Sequence, residues 1–128
     1  MLEELIGARL TKIDESGFEV LLTNGEKRNF VFEEDYGDCC GYNDIKTNLT
    51  ISDDELAKNP IITEVVRANP MKPKFYDDCD VIEITLMGED KPIAEILCES
   101  GSGSGWQYGA FCWVRCIETS ETETLTSW

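Results

Sequence analysis

The chain has no histidine, only eleven lysines and arginines against twenty-six aspartates and glutamates, and no apolar run long enough to cross a bilayer. Each shortage excludes something. Without histidine, the commonest general base is missing, and so is the usual partner that activates a serine or cysteine nucleophile. The net charge of −15 repels phosphate backbones and anionic membranes and attracts basic surfaces, so direct nucleic-acid binding is not expected. The opening "MLEELIGARL" carries Glu3 and Glu4 and lacks the apolar stretch of a signal peptide or membrane span, which points to a cytosolic protein.

What is present suits one folded domain. At 128 residues, 41% hydrophobic and 29% charged, the chain is long enough for a real core without a covalent staple. Leu2, Leu5 and Ile6 have helical spacing, and "ARLTKID" then reads as a strand. "GFEVLLTNGEKRNFVFEED" reads as a hairpin around Asn24-Gly25, and a three-residue loop that sets Phe30 opposite Val20 and Phe32 opposite Phe18 satisfies its apolar pattern. Ser52 with Glu55 forms a capping box for a short helix, "DDELAK", ended by Pro60. "IITEVVRA" is a strand of mixed pattern. "CDVIEITL", "IAEILCE" and "YGAFCWVRCI" follow as a three-stranded antiparallel meander, with Ile82, Ile84 and Leu86 facing Cys98, Ile96 and Ala94. The expected fold class is α+β: mostly antiparallel β, built from the N-terminal hairpin and the C-terminal meander, with one or two short helices. Residues 1–117 form the domain, and 118–128 are an acidic tail, loosely held, with Leu125 and Trp128 as possible anchors.

Six cysteines in a reducing compartment are not expected to be six disulfide halves. In the meander Cys98 falls opposite Cys112, Cys79 starts the neighbouring strand at the same end, and Cys116 lies about 13 Å along the strand from Cys112, too far to share an ion. On the residues alone, zinc ligation, inert burial and redox chemistry all stay open. The expectation adopted is a structural zinc, with Cys39 or Cys40 of the "DCC" loop joining Cys79, Cys98 and Cys112, since thiolate sites of this kind need no histidine.

Catalytic readings are weak. The carboxylates of "YDDCD" and "EEDYGD" invite Mg²⁺, but such runs are ordinarily solvated loops. "GSGSG" lacks the Gly-Lys-Ser/Thr ending of a phosphate loop and joins two strands. Trp106 and Tyr108 sit beside it as rigid amphipathic rings of the kind that anchor interfaces. No enzymatic activity is expected.

Finally, "LIGARLTKI", "LLTNGEKRNFVF" and "DCC" followed by "DI" resemble a family of small phage-encoded domains with a Leu-x-Gly start, a strand hairpin and an Asp-Cys-Cys loop. The likeness covers roughly the first half of the chain and implies no particular activity; the four further cysteines depart from it. Small acidic phage proteins without catalytic residues also resemble anti-CRISPR inhibitors, some of which contain metal. That likeness of class and charge implies an anti-defence protein in the cytoplasm of the bacterial host. Its partner would be the basic type II CRISPR nuclease, bound so as to block target DNA loading. The expected contact residues are Glu33, Glu34, Asp35, Asp53, Asp54, Asp77 and Asp78, with Trp106 and Tyr108. The rival reading is a sponge for a defence signal nucleotide, which needs converging cations.

Overall fold

A computed structural model describes residues 1–36, 41–69, 79–102 and 109–128. Among these, nine strands and two single-turn helices follow a 3-10 turn-first order. The turn covers Leu2–Leu5; β1 is Arg9–Asp14, β2 Gly17–Leu21, β3 Lys27–Asp35 and β4 Gly41–Leu49. Then come α1 (Asp53–Leu56), β5 (Glu64–Ala68), β6 (Cys79–Met87), β7 (Pro92–Ser102), β8 (Phe111–Cys116) and β9 (Thr122–Ser127).

The expected α+β class is overturned. Of the described residues, 61% lie in strands and 7% are helical, no helix reaches seven residues, and all strand pairs are antiparallel in a sandwich-like pair of sheets. The first sheet runs β1-β2-β3-β8-β9 and the second β4-β7-β6-β5. The helical signals were real but local. Ser52 and Glu55 do form the reciprocal capping box, yet α1 ends within a turn, where Asn59 takes a left-handed conformation (φ 53°) ahead of Pro60. A single turn cannot present an apolar stripe, so it adds no layer.

The N-terminal hairpin has the expected three-residue loop, in a different register. Leu22 N–H donates to Glu26 O (2.8 Å) and Gly25 N–H to Leu22 O (3.0 Å), with Gly25 left-handed at φ 87°. That geometry is a turn closed by a glycine bulge. Phe18 therefore faces Phe30, not Phe32, and their rings stack at 4.8 Å. A two-residue shift keeps every side chain on its own face, so the core-facing set was read correctly.

The meander is half right. β6 and β7 pair as expected, Ile82 with Cys98, Ile84 with Ile96 and Leu86 with Ala94. β8 does not join them, because the other edge of β7 is taken by β4 through nine residue pairs, and β8 instead lies between β3 and β9 in the first sheet. The tail expected to hang loose supplies β9: Thr122 to Thr126 alternate β-branched residues with others, and Leu125 and Thr126 are buried.

The two inner faces meet over Leu10, Phe18, Val20, Phe30 and Val114 on one side and Ile84, Leu86, Ala94, Ile96 and Cys98 on the other. Each large aliphatic side chain so buried contributes on the order of 1.5–3 kcal/mol. One flank is closed by Arg67 on β5, whose guanidinium reaches Glu3 and Glu123 (each 2.8 Å). The Met1 amino group also pairs with Glu123 at 3.1 Å.

Candidate functional site: an acidic groove between the sheets

At the end of the sandwich where β3 finishes and β4 begins, the two sheets diverge around a groove of about 410 Å³ lined by Glu15, Phe32, Glu34, Asn43, Asp44 and Ile45. Strand alternation turns Phe32 and Glu34 of β3 and Asn43 and Ile45 of β4 toward the groove, while Asp44 has the opposite parity. Phe32 and Glu34 share the inward parity of Phe30, while Glu33 between them points to the outer face. Glu15 comes from the β1–β2 turn, held by the Asp14 carboxylate accepting from Ser16 N–H (2.8 Å) and Gly17 N–H (3.2 Å).

A chain of hydrogen bonds fixes the groove's two walls. Ser100 Oγ and Thr126 Oγ1 are 2.7 Å apart, Ser100 Oγ donates to Asn43 Oδ1 at 2.6 Å, and Asn43 Nδ2 donates to the Asp35 carbonyl at 3.0 Å. With one proton per hydroxyl, Thr126 donates to Ser100. The relay crosses β9, β7, β4 and β3, and Ser100 and Thr126 are fully buried. Gly41 permits the close approach: a Cβ there would lie 2.0 Å from the Tyr36 carbonyl oxygen and 2.9 Å from Ala110 Cβ.

The lining is predominantly polar and anionic, with Phe32 and Ile45 its only apolar members. Neither Glu15 nor Glu34 has a cationic partner among the described residues; Glu34 accepts a short hydrogen bond from the Tyr36 hydroxyl. That bond pushes the Tyr36 pKa up, and burial does the same to the Cys112 thiol behind the groove, with Glu34 and Asp44 adding to the upward push and the Ser100 and Thr126 hydroxyls opposing it.

The other expected contact residues do not form one surface with Glu34. Glu33, on the outer face, receives Arg115 Nε at 2.7 Å and Trp113 Nε1 at 3.0 Å, and the Arg115 bond lowers its pKa. Asp35 ends β3 beside the groove. Asp53 and Asp54 open α1 at the far end of β4. Asp77, Asp78, Trp106 and Tyr108 lie outside the described residues.

The described thiols are placed differently from the expected meander. Because β8 left the meander, Cys98 and Cys112 are on different sheets instead of neighbouring strands. Cys79 pairs with Gly101, an odd-numbered position on the outer face of β7, whereas Cys98 points inward. Among the described residues no three His, Cys, Asp or Glu side chains are grouped to hold a metal. Burial raises the Cys98 thiol pKa strongly. Cys39 and Cys40 lie outside the described residues.

A second cleft, of about 450 Å³, opens at the opposite end beside α1. Its cations Arg9, Lys58 and Lys91 are matched by Glu55, Glu89 and Asp90, and Lys91 is already paired with Glu55 at 2.7 Å. That balance does not suit a polyphosphate.

No helix among the described residues is long and apolar enough to cross a membrane. The fold and groove define an all-antiparallel, two-sheet β protein with an acidic inter-sheet cleft. The chain belongs to the family described as a domain of unknown function, DUF7448, which matches residues 3–113. No curated protein and no solved structure matches it.

Proposed function

We propose that this chain acts by binding and not by turnover, and that the β3–β4 groove accepts an arginine or lysine side chain from a basic partner. The carrying observation is the groove's lining: Glu15 and Glu34 beside Phe32 and Ile45, with no cation among the lining residues. A long basic side chain places its charged head beside Glu15 and Glu34 and its methylenes against Phe32 and Ile45. The net charge of −15 adds long-range steering toward such a partner.

The partner class that fits is a protein whose own cations are arranged to hold nucleic acid. In its most specific form the proposal is an anti-defence protein that occupies the DNA-binding channel of the host type II CRISPR nuclease and excludes target DNA. The charge and the class resemblance to small acidic inhibitors support this form. A pull-down against that nuclease, followed by a DNA-cleavage assay, tests it. The expected result is a complex at low salt that blocks cleavage and weakens as salt rises, with Glu34→Gln and Glu15→Gln each weakening it. Absence of any complex at low salt overturns the nuclease assignment. A complex unaffected by both substitutions overturns the groove.

A further inference from the structure

The outer face of the five-stranded sheet differs from the rest of this acidic protein. Strand β8, between β3 and β9, points Phe111, Trp113 and Arg115 outward, with Cys112, Val114 and Cys116 buried beneath. Phe111 and Trp113 stack with ring centroids 5.0 Å apart, and Ile117, the next residue of that parity, is 48% exposed. No described element covers these side chains. Around them three carboxylates are held by cations on the same face: Glu33 by Arg115 (2.7 Å), Glu19 by Lys27 (3.5 Å) and Asp14 by Lys12 (3.8 Å).

We infer that this face is a self-association surface, and that its occupant is a second copy of this chain packed sheet to sheet about a twofold axis. Charge chooses the occupant. Two chains of −15 repel each other, so contact is favoured where carboxylates have their own cations, as Asp14, Glu19 and Glu33 do across the middle of this face, with Asp35 and Glu118 at its margins. A basic partner gains little here, because the carboxylates are taken, and finds more at the groove. The composition is that of an interface centre: stacked aromatics and an arginine whose planar guanidinium is held by Glu33.

The shape agrees. Beside Ile117 a hollow of about 160 Å³ opens over Gly17, Asn29 and Val31, so one copy's protruding Ile117 has a recess to enter on the other. Gly17 cannot fill it, since a Cβ there would lie 1.8 Å from the Phe30 carbonyl oxygen. Five strands about 4.8 Å apart and six residues at about 3.3 Å each give a footprint of roughly 20 by 24 Å. Two such faces bury about 1,000 Å², the lower end for a specific interface, so the dimer is weak and concentration-dependent.

Sedimentation equilibrium over a concentration series tests this, at salt from about 0.05 to about 0.5 M, where the screening length falls from above 10 Å to a few ångströms. The expected result is a monomer–dimer equilibrium that tightens as salt rises, the opposite of the salt response at the groove. Trp113→Glu and, separately, the half-exposed Ile117→Glu each weaken dimerisation at least about tenfold while leaving the circular dichroism spectrum unchanged, as loss of an interface-centre residue does. A monomer at every concentration in high salt overturns the inference, as does a dimer that both variants retain. Because Glu34→Gln leaves this face intact, failure of the groove proposal and failure of this one are separately visible. Binding of the nuclease lost in Trp113→Glu, with no dimer of the parent chain, would assign the face to the partner and overturn self-association.

Discussion

Glu33 and Glu34 are neighbours in the chain and have opposite surroundings. Strand alternation sends Glu33 to the outer face, where Arg115 and Trp113 consume both its charge and its hydrogen-bonding capacity. It sends Glu34 into a groove shared with Glu15 and Asp44. The difference teaches that an acidic run in a strand is not one acidic patch. Half of it serves the sheet's own surface, and the other half is available to a cation from outside.

The comparison is broken most severely by Gly41→Ala. The added Cβ meets backbone at the Tyr36 carbonyl, which cannot yield as a flexible side chain does, so the ends of β3 and β4 must part. The expected loss is about 3 kcal/mol in chemical denaturation, accompanied by loss of binding at the groove. Ser100→Ala comes next. It removes the hydroxyl that links Thr126 to Asn43 and leaves buried polar atoms unpaired, at a cost of about 1–3 kcal/mol on the same measurement.

A charge-neutral swap at each neighbour sharpens the contrast. Glu34→Gln should weaken binding of a basic partner several-fold, while Glu33→Gln should leave that affinity alone and release Arg115; titration calorimetry with both variants reads the difference. The smallest effect is on the pH profile of stability. Glu33 and Glu123 have folded pKa values below the usual carboxylate range, through Arg115 for the first and, against its burial, through the Leu2 amide, the Met1 amino group and Arg67 for the second. Their contribution is complete above about pH 4.5 and is lost as pH falls through the depressed values. At the alkaline end Cys98 and Cys112 keep their protons in the fold by burial, whereas the unfolded chain releases them above about pH 8.5, so stability declines as pH rises from there. Thermal melts across the pH range show both limbs.

Much of the fold was legible in the sequence because it is encoded locally. The β6–β7 register followed from matching Ile82, Ile84 and Leu86 to Cys98, Ile96 and Ala94, and the α1 cap followed from Ser52 and Glu55. What stayed hidden was decided between distant segments. β4 was not read as a strand because "YNDIKTNL" alternates weakly, with Ile45 and Leu49 the only large apolar residues on its inner face; its pairing with β7 then displaced β8 to the other sheet. That one exchange set Cys98 and Cys112 on facing sheets instead of on neighbouring strands of one sheet. The Thr-rich pattern of residues 122–127 was a usable strand signal, outweighed by its acidity. Glu34 was among the acidic residues singled out, but its separation from Glu33 needed the strand's parity, and Glu15, Asn43 and Asp44 carried no sequence signal of their own.

The division of the acidic run between a self-satisfied face and an open groove is read out by an amide chemical-shift titration of the labelled protein with a nona-arginine peptide at low salt. The predicted result is that the largest shifts fall on Glu15, Glu34, Asn43 and Asp44 and that Glu33, Trp113 and Arg115 stay still. Shifts concentrated on Glu33 and its β8 neighbours, or spread evenly over every exposed carboxylate, would contradict it.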